Sequence, residues 1–88
     1  MFPFWIAKRD GSVVVAPHDS RYVAAFTSLT LARAFMQQAG ESGWQFRVIG
    51  RAALRRMVEE LRRGSFVGIC LDPSGKGDGE QLSFAELE

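Results

Sequence analysis

The residue types able to do covalent or acid–base chemistry are few in this chain. Cys70 and His18 are the one thiol and the one imidazole, and they are the only pair that could act as nucleophile and base. A thiol enzyme needs an exposed thiolate beside an oriented base. Cys70 instead lies inside the apolar run Phe66-Val67-Gly68-Ile69-Cys70-Leu71, where burial makes a thiol inert. His18 sits in the turn Pro17-His18-Asp19-Ser20, where solvation is the plainer expectation. Glu59 and Glu60 are adjacent, so on a helix they point about 100° apart and cannot share one bond as acid and base. No His, Asp or Glu cluster has metal spacing, and neither a metal nor a cofactor is expected. The loop Asp72-Pro73-Ser74-Gly75-Lys76-Gly77-Asp78-Gly79-Glu80 contains Gly-Lys, but Gly77 stands where a P-loop needs Ser or Thr. Counted from Asp72 as a calcium loop, it has Lys76 in a ligand position and Ser83 in place of the bidentate Glu.

Two polar constellations remain. Thr27 and Ser28 precede an amphipathic run, and the start of a helix offers free amides and a positive dipole end. With Asp72, Ser74 and Lys76 of the glycine-rich loop they form the candidate ligand-binding set, the alternative for Ser28 being a simple helix cap. The second is basic. Segment 51–63 carries five arginines, of which Arg51, Arg55 and Arg62 share one arc of a helix. A phosphate-binding stripe has this form. Glu59 and Glu60 are spaced to pair with these arginines at i, i+4, and the net charge of +1 disfavours nucleic acid as a partner. The surplus of aromatics, seven Phe and two Trp, favours a protein partner or a self-associating seam. Phe2, Phe4 and Trp5, near the chain start, are the aromatic candidates for that surface, with Arg51, Arg55 and Arg62 as its basic members.

The elements that must hold these residues follow from periodicity. Phe4 to Lys8 reads as a strand, Asp10-Gly11 as a hairpin turn, and Val13 to Ala16 as the return strand. Tyr22 to Phe26 is a third strand. From Ser28, Leu31, Ala32, Phe35, Met36 and Ala39 recur at helical spacing until Gly40. Trp44, Phe46 and Val48 alternate with polar residues as a half-buried strand. Leu54, Met57, Val58 and Leu61 mark the core face of a second helix that ends at Gly64. The run from Phe66 to Leu71 is a central strand buried on both faces. Leu82 adds a short strand, and Ser83 and Glu86 have capping-box spacing for a last helical turn. The order β-β-β-α-β-α-β predicts an α+β fold, a mixed sheet of about five strands with two main helices, in one domain spanning 1–88. The composition, 47% apolar and 24% charged, is that of an ordinary globular domain. The lone cysteine, the short apolar start ended by Lys8-Arg9-Asp10, and the lack of a run long enough for a membrane predict a cytoplasmic protein of bacterial style.

Ala25-Phe26-Thr27-Ser28 leading into Leu29, Ala32 and Phe35, followed later by Gly68-Ile69-Cys70-Leu71-Asp72-Pro73, resembles the N-terminal domain of the SseB family, the enhanced serine sensitivity proteins of bacteria. The likeness spans about Tyr22 to Leu87. Asp72 stands where that family more often has Asn, and the second domain of full-length members has no counterpart here. The resemblance implies a fold more than a function, since the family has no established enzymatic mechanism. The expectation is a non-enzymatic module acting through protein–protein binding or self-association. A small-ligand or anion-binding regulatory domain is the alternative, and a nucleic-acid binder through the Arg51–Arg63 helix comes third.

Overall fold

The structure, a computed structural model, describes residues 1–74 and 78–88. Among the described residues the elements are β1 (Phe4–Arg9), β2 (Ser12–Val13), β3 (Val15–Ala16), β4 (Asp19–Ala25), α1 (Leu29–Gln38), β5 (Gln45–Ile49), α2 (Arg51–Arg63), β6 (Gly68–Leu71), β7 (Glu80–Ser83) and α3 (Phe84–Leu87). The fold is α+β, with a few more and shorter strands than the periodicity predicts.

Asp10 and Gly11 both take positive φ, 50° and 81°, as the tight turn between β1 and β2 requires. The expected return strand is divided at Val14. Its first half pairs with β1 and its second half with β4, both antiparallel. The Val14 carbonyl accepts from the Ala24 N–H at 2.8 Å. One short segment therefore passes from the sheet β2-β1-β5 to the sheet β3-β4-β6-β7. The sheets meet again where Trp5 and Phe26 exchange both backbone hydrogen bonds, at 2.7 and 2.8 Å. β4 and β6 run parallel, in register from Tyr22↔Gly68 to Ala25↔Leu71. The segment between them, α1-β5-α2, is the crossover that parallel pairing demands.

Alternation along β4 divides the core. Val23 and Ala25 face a cluster with Phe4, Ile6, Ile49 and Ile69, closed by Leu54, Met57, Val58 and Leu61 of α2 and by Phe84 and Leu87 of α3. Ala24 and Phe26 face the other way, onto Ala32 of α1, with Trp5, Phe35 and Phe46 packed around them. The sheets thus lie between α1 on one side and α2 with α3 on the other. Each large side chain so buried contributes roughly 1.5–3 kcal/mol before entropy costs.

Three expectations are corrected. In β5 the buried residue is Ile49 (7% exposed) and Val48 is 50% exposed, so the strand keeps apolar groups on both faces. The last central strand begins only at Gly68, leaving Val67 exposed. Glu60 does not serve its own helix but reaches across to the Lys8 ammonium at 2.9 Å.

The helix ends are mostly where local chemistry puts them. The Ser28 hydroxyl accepts from the Leu31 N–H at 3.1 Å, and Gly40 takes the left-handed position after α1 with φ 71°. The Ser83–Glu86 capping box closes in both directions. At the end of α2 the left-handed residue is not Gly64 but Ser65, with φ 69°. Its neighbour's N–H, that of Phe66, reaches back to the Leu61 carbonyl at 3.2 Å, completing the terminal loop. Ser65→Gly is expected to stabilise the protein by about 0.5–1 kcal/mol, the relief of left-handed strain less the added freedom of the unfolded chain. A thermal melt checks this, and a lower midpoint would refute it.

Candidate functional site

The C-terminal ends of parallel strands are where open sheets place ligands, because helices leaving them present free amides there. Here β4 and β6 end side by side, and Thr27, Ser28 and Asp72 gather at that point. Asp72 is anchored first by its backbone, its N–H donating to the Ala25 carbonyl at 2.7 Å. It then takes φ 51°, a left-handed conformation that Asp and Asn tolerate better than most residues. Its carboxylate accepts from the Thr27 N–H and from the Thr27 hydroxyl, both at 2.8 Å. Ser28 spends its hydroxyl on Leu31, and Ser74 bonds to Asp78 through backbone at 3.2 Å and side chain at 3.3 Å. Lys76 lies outside the described residues.

The arrangement of these groups is inward. A carboxylate from the chain itself already sits at the start of α1, answering the dipole that would otherwise draw an external anion. Thr27 and Asp72 act as a clasp joining β6 to the β4–α1 junction. Asp72→Ala is expected to cost about 1–3 kcal/mol, the range for hydrogen bonds to a charged group. Asp72→Asn should cost less than about 1 kcal/mol, since its amide can donate to the Thr27 hydroxyl and Asn also tolerates left-handed φ. Urea unfolding of both variants checks the ordering, and equal losses would disprove the clasp.

Cys70 and His18, distant in sequence, line one cleft of about 200 Å³ with Asp19 and Asp78. Proximity does not make them a catalytic pair. The thiol is 5% exposed and burial pushes its pKa up, opposite to what a nucleophile needs. Among the described residues no hydrogen bond connects His18 to Cys70. Asp19 is engaged by the Arg21 guanidinium at 2.7 and 3.0 Å, which holds its carboxyl down at about 2. Cys70 in the folded protein is expected to react with a disulfide thiol reagent at neutral pH at least roughly tenfold more slowly than in denaturant. Equal rates would show an accessible thiolate. No group of three metal-ligating side chains occurs among the described residues.

The surface residues separate. Phe4, expected at a partner surface, is fully buried in the larger cluster and is a core residue. Its place in β1, in register with Ile49, turns the ring inward. Phe2 is half-buried, its ring centre 5.5 Å from that of Phe4, with the Arg51 guanidinium 4.9 Å above it. Arg62 lies over Phe84 at 5.7 Å and approaches Glu88 at 3.9 Å. Two members of the basic arc therefore lie over aromatic rings, the half-buried Phe2 and the buried Phe84, while Arg55 is exposed.

Trp5 is half-buried and opens onto a feature that sequence reasoning missed. A groove of about 570 Å³ runs between α1 and β5, lined by Trp5, Leu29, Phe46, Arg33, Gln45 and Arg47. A second cleft of about 280 Å³ lies on the other side of β5 against α2, lined among others by Ala53, Arg56 and Met57. No helix among the described residues is long and apolar enough to cross a membrane. No family model, curated protein or solved structure matches the chain.

Proposed function

We propose that the chain is a small, non-catalytic cytoplasmic binding module of the SseB N-terminal type, acting through protein–protein binding or self-association. The observation that carries this reading is the groove between α1 and β5, an apolar floor of Trp5, Leu29 and Phe46 left open. Apolar surface of this kind, rimmed by Arg33 and Arg47, is what an interface core and its polar rim look like before the partner arrives. The Thr27–Asp72 end of the sheet supports a structural role more than ligand capture, because its polar groups are bonded to one another.

The test compares the wild-type chain with Leu29→Glu, which places a charge in the groove at a half-buried helix-start position. Light scattering reports self-association, and cross-linking in bacterial extract reports partners. Association or a captured protein that Leu29→Glu abolishes is the expected result. A strict monomer that captures the same proteins as the variant would sink the proposal.

A further inference from the structure

We propose that the free edge of β5 takes an extended segment of a partner protein as an added strand, and that this segment alternates acidic and apolar residues. The inference rests on the binding reading above and names its partner's chemistry.

The backbone supplies the first half. β5 pairs with β1 on one side only, which leaves its other edge unpaired among the described residues. Which groups are free follows from Trp5. Both its backbone hydrogen bonds go to Phe26, so the groups of its neighbours Phe4 and Ile6 face β5, where they meet Ile49 and Arg47. The N–H and C=O groups of Phe46 and Val48 then point outward, away from β1. An incoming strand would complete them, the backbone route by which sheets recruit extended peptides.

The side chains supply the second half. A strand added at this edge has its residues alternating between the two clefts that flank β5. On the α1 side they meet Trp5, Leu29 and Phe46, which suit apolar groups, with Arg33 at the rim. On the α2 side they meet Arg47 and Arg56, set above the apolar groups of Ile49, Ala53 and Met57. The acidic side chain lining that cleft, Glu60, is engaged by Lys8 at 2.9 Å, and neither Arg47 nor Arg56 is in an ion pair among the described residues. With Arg47 and Arg56 on the α2 face and the floor of Trp5, Leu29 and Phe46 on the α1 face, the edge is complementary to an alternating acidic and apolar strand.

A second copy of this chain fits less well. With Phe46 and Val48 as the outward-bonding residues, the central two-fold register sets Arg47 directly opposite Arg47 of the other copy. Like charges facing across a non-hydrogen-bonded pair are destabilising.

The probe is a short synthetic peptide alternating glutamate and valine, followed by amide NMR of the full chain. The expected result is that the Phe46 and Val48 amides shift and gain exchange protection, while a peptide with lysine in place of glutamate has no effect. Arg47→Glu combined with Arg56→Glu should weaken binding roughly fivefold or more, both positions being solvent-exposed. Val48→Pro removes only an outward donor and should abolish the protection; the charge-reversed variant keeps the test decisive if the proline variant unfolds. Peptide binding that leaves those two amides unmoved, or indifference to the sign of the peptide's charge, would overturn the proposal. So would concentration-dependent shifts of the same amides without peptide, which would assign the edge to a second copy. If partners captured from extract are lost with Leu29→Glu yet persist when Arg47 and Arg56 are reversed, the binding reading stands and the acidic-strand inference falls.

Discussion

Gly68→Ala is expected to cost about 3 kcal/mol or more, a large share of the 5–10 kcal/mol on the order of which a domain of this size is stable. Gly68 is the first residue of β6 and is paired to Tyr22 on one side and Ser83 on the other. A methyl group built there would collide with the Leu82 carbonyl oxygen and lie 2.9 Å from the Ser83 Cα. All these atoms are backbone, so no side-chain rotation relieves the contact. The strand itself must move, and β7 carries α3 with it, whose Phe84 and Leu87 close the larger core cluster. The Phe84 N–H bond to the Val67 carbonyl, 3.1 Å, would be lost in the same displacement. Gly50→Ala is the control, because a methyl at Gly50 meets nothing within 4 Å. Its effect should stay under about 1 kcal/mol. Urea midpoints of the two variants decide the matter, with hydrogen exchange at Leu82 and Ser83 locating the damage. A Gly68→Ala variant as stable as wild type would mean that β6 and β7 are not this close.

The role of Gly68 illustrates which parts of the fold could be read from the chain. Turns and caps complete within four residues are legible, because the atoms that satisfy each other are neighbours in sequence. The Asp10-Gly11 turn, the Ser28 cap and the Ser83–Glu86 box are of this kind. Cys70 was legible as a buried thiol because it lies within a run of apolar residues. What escaped depends on partners far away. Val14 divides the second strand because β1 and β4 both claim it, and neither claim is visible in Val13-Val14-Val15. Period-two alternation located β5 but could not say that Val48 would face solvent beside an unpaired edge. The bond between Thr27 and Asp72 spans 45 positions and has no local signature. At the end of α2 the stop at Gly64 was legible, but not that the next residue, Ser65, takes the left-handed position.

Phe4→Ala is expected to cost about 3–5 kcal/mol, the range for truncating a buried phenylalanine. Position near the chain start made this ring a candidate for a partner surface, with Phe2 and Trp5. Tertiary pairing decides otherwise. β1 lies between β2 and β5, so its inward-facing residues, Phe4 and Ile6, are covered from the α2 side. Phe4 is 0% exposed and shares its cluster with Val58 and Ile69, which are equally buried. Truncation would remove its packing in the cluster it shares with Val58 of α2 and Ile69 of β6. Phe2→Ala, by contrast, removes a half-buried ring and its contact with Arg51, and should cost nearer 1 kcal/mol. Both variants are measured by chemical denaturation and by binding of the same partner or peptide. The two readings of Phe4 separate cleanly on these axes. A core residue loses stability, and its binding recovers in proportion to the fraction folded. A surface residue keeps its midpoint and loses the partner, and that outcome would return Phe4 to the interface and displace the binding surface from the β5 edge toward the start of the chain.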